Sequence, residues 1–157
     1  MAQGETGRIF VGNEMQFEGY TGGGGKDLIG ALMSSGDVGH FDAQGRLFVD
    51  GRDDDMIVSG GENVFPQEVE DLLAGHERIA EAAVFGVDDE RFGQRLKAVV
   101  VTSGGELTPD DVKEYVKSNL AAYKVPRDVE FIDELPRNAT GKVLKRELRG
   151  EETRKGV

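Results

Sequence analysis

Two apolar runs of strand length, Ile79 to Val87 and Arg95 to Thr102, stand either side of a short polar connection, Asp88-Asp-Glu-Arg-Phe-Gly93. This layout predicts antiparallel neighbours in a meander or hairpin, and two such strands are marginal in water unless something covers them. In the second run Leu96, Ala98 and Val100 alternate onto one face, which must be buried. Candidate covers lie on both sides in sequence. Pro66-Gln-Glu-Val-Glu-Asp-Leu-Leu73 reads as a helix with proline in its first turn and Val69, Leu72 and Leu73 on one face. Thr108-Pro-Asp-Asp111 opens another, with an N-cap, a proline at N1 and two acids at the positive helix end. Val112, Tyr115, Val116 and Leu120 supply its buried stripe.

Further along, Val129 to Ile132 reads as a third strand, Leu135 to Gly141 as a loop and Leu144 to Leu148 as a short closing helix. Upstream, Met56-Ile-Val58 reads as a strand and Ser59-Gly-Gly-Glu-Asn63 as a turn. The expected fold class is therefore α+β: a three-stranded sheet and a β-hairpin packed by helices. The first fifty residues differ. Their short β-like runs, Arg8 to Gly12 and Gly45 to Val49, are separated by glycines and by the tract Gly22–Gly25, which favours mobile loops. The expected division is 1–53 as a β-rich, loosely ordered segment, 54–150 as a compact domain and 151–157 as a flexible tail.

Charge and composition narrow the chemistry. A formal net charge of -11 over 157 residues repels DNA, RNA and anionic lipid at long range. With no cysteine there is no disulfide, thiolate metal site or cysteine nucleophile. No apolar stretch approaches the roughly 20 residues of a membrane helix, and the amino end lacks the layout of a secretory signal. A soluble, cytoplasmic protein is expected. His40 and His76 lie on different local elements without a metal-ligand companion, so no metal site and no histidine base is expected.

Four segments carry groups that a nucleotide or thioester site needs. In Ser34-Ser-Gly-Asp-Val-Gly39, Asp37 can accept two hydrogen bonds from vicinal ribose hydroxyls; Asp beside Gly is also an ordinary turn signal. In Gly51-Arg-Asp-Asp-Asp-Met-Ile-Val-Ser-Gly-Gly-Glu-Asn-Val64, Arg52 can donate a fork of N–H groups to ribose or phosphate, or the run is a charged linker. Gly60 and Gly61 allow close backbone approach to a ligand, or a hairpin turn. In Pro136 to Lys142, a lysine after glycine on a loop can neutralise charge developing on a phosphate and a carboxylate; most exposed lysines only solubilise. The segment is not a phosphate-binding P-loop, because Val143 follows Lys142. Finally, Phe92 and Tyr123, with Lys124 and Arg127 beside the latter, can stack a nucleotide base and hold its phosphates, or serve as partly buried packing.

In this order and spacing, the segments resemble the C-terminal portion of AMP-forming acyl-CoA synthetases, within the adenylate-forming superfamily. The likeness rests on Ser35-Gly-Asp37, on Gly51 to Pro66 with Glu68 and Glu70, and on Pro136-Arg-x-x-x-Gly-Lys142. It implies a mobile C-terminal domain preceded by the tail of a large adenylation domain. Asp37 and Arg52 would hold ribose and phosphate, and Asp54 would be a hinge. Lys142 would bridge the α-phosphate and the substrate carboxylate. Ser59, Gly60 and Gly61 would line the pantetheine passage, with Phe92, Tyr123 and Arg127 near the CoA nucleotide. The substrates implied are ATP with Mg2+, CoA and a carboxylic acid, a fatty acid being favoured by the Ser59–Asn63 turn and Phe65-Pro66.

The chain also departs from that family. It has no Ser/Thr/Gly-rich phosphate loop, no aromatic and acidic magnesium motif and no acyl pocket, so it is expected to be inactive without a missing N-terminal domain. The alternative is a stand-alone module that binds a nucleotide, CoA or a protein without catalysis.

Overall fold

The computed structural model describes residues 4–12 and 27–150. The expectations for the Gly22–Gly25 tract and for the tail at 151–157 lie outside the described residues. The chain divides into two compact units, residues 1–56 and 57–157.

The first unit is a small antiparallel sheet built around β3 (Leu32–Phe41), which pairs with β1 (Gly7–Val11), β2 (Leu28–Ile29) and β4 (Leu47–Arg52). The Ser34–Gly39 segment, read from its glycines as a tight turn, is instead the middle of this strand. The ladder shows why. Arg8 pairs with Val38 and Phe10 with Ser34, so Ser35, Gly36 and Asp37 oppose Ile9 alone. The glycine serves a bulge within a sheet rather than a reversal of the chain. Ser34 and Val38 are buried, and β4 pairs the other edge of β3 in register Asp37 with Arg52. A 3-10 turn, Asp53–Asp55, follows.

The second unit holds the expected sheet. β7 (Ile79–Asp89) and β8 (Gly93–Thr102) form a long antiparallel pair, and β9 (Asp128–Phe131) adds to β8 in parallel. A short hairpin, β5 (Ile57–Ser59) and β6 (Glu62–Val64), joins where Ser59 meets Gly93. Alternation along β7 and β8 divides their side chains between two cores. Val84, Leu96, Ala98 and Val100 pack with Val69 and Leu73 of α1 (Pro66–Ala74) and with Val112 and Val116 of α2 (Pro109–Asn119). Ala83, Phe85 and Val99 face the other way, under Leu135, Val143 and Leu148. The sheet is thus covered on both faces, where the pattern at Leu96, Ala98 and Val100 had revealed only one.

Helix α2 begins as its sequence dictates. Asp111 N–H donates to Thr108 Oγ1 at 3.2 Å, and Thr108 N–H donates to the Asp111 carboxylate at 2.9 Å, so two otherwise orphaned donors are satisfied. The final helix, α3 (Lys145–Leu148), is a single turn. The segment from Leu135 to Leu148 closes the second core, and its Arg137 pairs with Glu81 of β7. There Glu70 of α1 accepts the Val84 N–H at 2.7 Å, which satisfies an edge donor that the ladder leaves unpaired. No described helix is long and apolar enough to cross a membrane.

Candidate active site

In the first unit, Asp37 and Arg52 are cross-strand partners on β3 and β4. Arg52 donates from Nε to Asp54 at 3.2 Å and from Nη1 to Asp37 at 3.4 Å. Its guanidinium lies against Gly36, where a Cβ would stand 3.1 Å from Nη2. The hydrogen bond to Asp54, reinforced by the nearby Asp54 and Asp37 charges, raises the Arg52 pKa further above its ordinary value. Ser35 orders the backbone beneath, accepting the Asp37 N–H at 3.2 Å and donating to the Ile9 carbonyl at 3.2 Å. A carboxylate and an exposed guanidinium therefore stand side by side on a strand pair, an acceptor next to a forked donor. Asp54 sits in the 3-10 turn, two residues before Met56, the last residue of its unit.

In the second unit, Ser59, Gly60, Phe92, Tyr123 and Arg127 line one open cleft of about 190 Å³, together with Glu62, Leu96, Ala122 and Val125. Gly61, on the same turn, is outside the lining. Each wall has a local cause. The β5–β6 turn needs positive φ at Gly60 and Gly61, 62° and 89°. The β7–β8 turn is tied by Asp89, whose carboxylate accepts the N–H groups of Phe92 at 2.9 Å and Arg91 at 3.0 Å. Those bonds, led by the one from Phe92, hold the Asp89 pKa below the usual carboxylate value. Tyr123 lies in the 3-10 turn Ala122–Lys124 and is 43% exposed.

The aromatic rings are not equivalent. Arg127 lies 4.0 Å from the Phe92 ring centroid and Arg91 5.0 Å from it, so Phe92 is engaged by two cations. Lys124 approaches Tyr123 only to 5.8 Å and pairs with Glu68 at 2.5 Å. Of the two rings, Tyr123 offers more open surface to a planar group. Glu62 at the rim adds a negative charge that residue types near the turn had not flagged as part of the cleft.

Lys142 stands on the loop between Leu135 and α3. Its side chain is exposed, and no described residue forms a hydrogen bond or ion pair with its ammonium. Of the other described lysines, Lys97, Lys117, Lys124 and Lys145 pair with glutamates and Lys113 does not. The backbone of the same loop is well tied, with Leu144 N–H donating to the Pro136 carbonyl at 2.8 Å and Arg137 bridging Val143. An unneutralised ammonium on a fixed backbone is suited to meet an anion. The histidines are otherwise engaged: His40 Nδ1 lies 2.8 Å from Asp50, and His76 meets Tyr115 edge-on at 4.7 Å. Among the described residues, no group of three or more acid or histidine side chains is placed to hold a metal ion.

The AMP-binding enzyme C-terminal domain family matches residues 68–142, which run from within α1 through β7, β8, α2 and β9 to Lys142. Residues 68–142 therefore resemble the C-terminal domain of AMP-binding enzymes. It is 45% identical over 117 residues to a 2-succinylbenzoate–CoA ligase of Bacillus cereus, covering 74% of this chain and 24% of that relative. The fold matches o-succinylbenzoate CoA synthetase of Bacillus subtilis in complex with the acyl-adenylate intermediate OSB-AMP. That match has a TM-score of 0.85 and 34% identity, over 100% of this chain and 32% of that one. ATP-bound MatB from Rhodopseudomonas palustris is similar at a TM-score of 0.81 and 34% identity, over 96% of this chain and 31% of that one. The chain therefore spans about a quarter of the length of the curated relatives it matches.

Proposed function

We propose that the full-length protein is an AMP-forming acid–thiol ligase and that this chain supplies its phosphate-bridging lysine and part of its CoA site. The observation that carries the reading is Lys142: an exposed ammonium that no described residue pairs, on a tied loop at the end of the match to the AMP-binding enzyme C-terminal domain. In the reaction, a carboxylate oxygen attacks the α-phosphorus of ATP, the bond to pyrophosphate breaks and acyl-AMP forms. Lys142 meets the negative charge shared by carboxylate and phosphate as that bond forms. In the second step the CoA sulfur attacks the acyl carbonyl and AMP leaves.

Asp37 and Arg52 are read as ribose and phosphate ligands, Asp54 as the hinge, and Ser59 to Gly61 with Phe92, Tyr123 and Arg127 as the CoA side. Mg2+ enters with ATP. The acid is a carboxylic acid whose pocket no segment of this chain matches. A fatty acid is suggested by the Ser59–Pro66 sequence and 2-succinylbenzoate by the relatives, so both belong in the assay. A cytoplasmic setting is part of the same reading.

The test is pyrophosphate–ATP exchange by the full-length protein with a panel of fatty acids and 2-succinylbenzoate. Exchange with at least one acid, reduced about 100-fold or more in Lys142→Ala, is expected. Equal exchange in Lys142→Ala overturns the reading. The 157-residue chain alone is expected to release no pyrophosphate.

A further inference from the structure

We propose that Asn138 is a positioning residue for Lys142, holding the lysine's backbone in place before the nucleotide arrives; this rests on the reading of Lys142 above. One side-chain oxygen carries the arrangement. Asn138 Oδ1 accepts the Lys142 N–H at 2.9 Å, the Thr140 N–H at 3.0 Å and the Thr140 hydroxyl at 2.8 Å. The main chain of the same residue closes the loop again, since Asn138 N–H donates to the Lys142 carbonyl and Gly141 N–H donates to the Asn138 carbonyl, both at 2.9 Å. A single residue thus makes five hydrogen bonds to Thr140, Gly141 and Lys142. Asparagine is suited to this, because its amide oxygen can reach N–H groups two and four residues ahead.

The loop is also fastened to the body of the domain on both sides. Arg137 pairs with Glu81 of β7 and donates to the Gly141 carbonyl at 2.8 Å. Lys145 pairs at 2.8 Å with Glu70, the carboxylate that also takes the Val84 N–H. Leu135, 2% exposed, anchors the loop's start in the second core, and Val143 packs there just after Lys142. The backbone at residue 142 is therefore fixed relative to β7, while the side chain beyond it stays free. A lysine held this way loses only side-chain freedom on meeting its anion. A lysine on a loose loop also loses backbone freedom of about 1–2 kcal/mol per residue, or roughly five- to thirtyfold.

The experiment uses the full-length protein and two half-reactions. Asn138→Ala is expected to slow pyrophosphate–ATP exchange about tenfold or more, with the KM for ATP changed less than about twofold. Thiolysis of supplied acyl-AMP by CoA is expected to remain near the wild-type rate, because no carboxylate–phosphate bond forms in that step for Lys142 to meet. Amide exchange at Thr140 and Lys142 is expected to accelerate about tenfold. Asn138→Asp, which keeps an oxygen at the same place, is expected to restore their protection. Wild-type exchange by Asn138→Ala, an equal loss of both half-reactions, or slowed adenylation with unchanged amide protection would each overturn the proposal. If Lys142→Ala itself exchanges at the wild-type rate, the reading of Lys142 falls and this proposal falls with it. If only Asn138→Ala is without effect, this proposal alone falls.

Discussion

Gly60 and Phe92 are fitted to each other: the Gly60 N–H donates to the Phe92 carbonyl at 2.9 Å, and a Cβ on Gly60 would stand 3.2 Å from the Phe92 ring. Two hairpin turns, one before β6 and one before β8, are joined at this point into the wall of the cleft. Gly60→Ala meets two penalties, the positive φ of 62° and the ring edge. Gly61→Ala meets only the first, at φ 89° with open space around it. Each is expected to lower stability by about 1–2 kcal/mol from backbone strain, with Gly60→Ala the worse. Urea unfolding of the two variants beside wild type checks the order. Equal midpoints would mean that Phe92 moves away without cost.

Acid should loosen the same wall. Asp89 has its pKa lowered by the N–H groups of Phe92 and Arg91 and by Arg95, and Asp111 has its pKa lowered by the Thr108 hydroxyl and N–H. A carboxylate with a lower pKa in the folded state adds stability above its unfolded pKa and loses it as pH falls through the folded value. The unfolding midpoint is therefore expected to be flat near neutrality and to fall from about pH 5 downward. Asp89→Asn should remove part of that slope, a fraction of one proton. Thermal unfolding between about pH 7 and pH 3, wild type against variant, measures the difference. A midpoint that rises on acidification contradicts the assignment.

Arg52 is exposed and shares its N–H groups between Asp54 and Asp37, so its replacement should matter little to folding. If it holds the nucleotide, the loss appears in ATP use instead. Arg52→Ala is expected to leave the thermal midpoint within about 2 °C and to raise the KM for ATP about tenfold in the full-length enzyme. Arg52→Lys should recover only part, because one ammonium cannot reproduce the forked donor. An unchanged KM removes Arg52 from the nucleotide site.

Local signals foretold most of the second unit. Thr108-Pro109 placed the start of α2, Pro66 the start of α1, and the alternation at Leu96, Ala98 and Val100 the face that packs under them. The first unit was harder to foresee. Gly36 in Ser34–Gly39 is chemically as good for a turn as for a bulge, and only pairing with β1 and β4, distant in sequence, decides between them. The second core was missed for a related reason. Leu135, Val143 and Leu148 are too widely spaced to announce a face, and they acquire one by packing with Ala83, Phe85 and Val99 of the sheet. Residue type singled out Lys142, Tyr123 and Arg127 as candidates but not Asn138, whose side chain closes the loop at Lys142. The Asn-x-Thr spacing at Asn138 and Thr140 was the available clue to a side-chain-closed loop.

Leu96 and Tyr123 line the same cleft but differ in burial, and that separates stability from ligand binding. Leu96 is 1% exposed and belongs to the core beneath α1 and α2, so Leu96→Ala removes buried methyl groups and leaves a cavity. A loss of about 2–5 kcal/mol is expected, read from denaturant unfolding at constant slope. Tyr123→Ala truncates a residue that is 43% exposed and should leave stability within about 0.5 kcal/mol. If that ring stacks the CoA base, the KM for CoA rises about tenfold while pyrophosphate exchange, which uses no CoA, is unchanged. A Tyr123→Ala enzyme with normal CoA kinetics would shift the base to Phe92. Arg127 lies 4.0 Å from that ring's centroid, so it would have to move aside, and Phe92→Ala would then carry the defect.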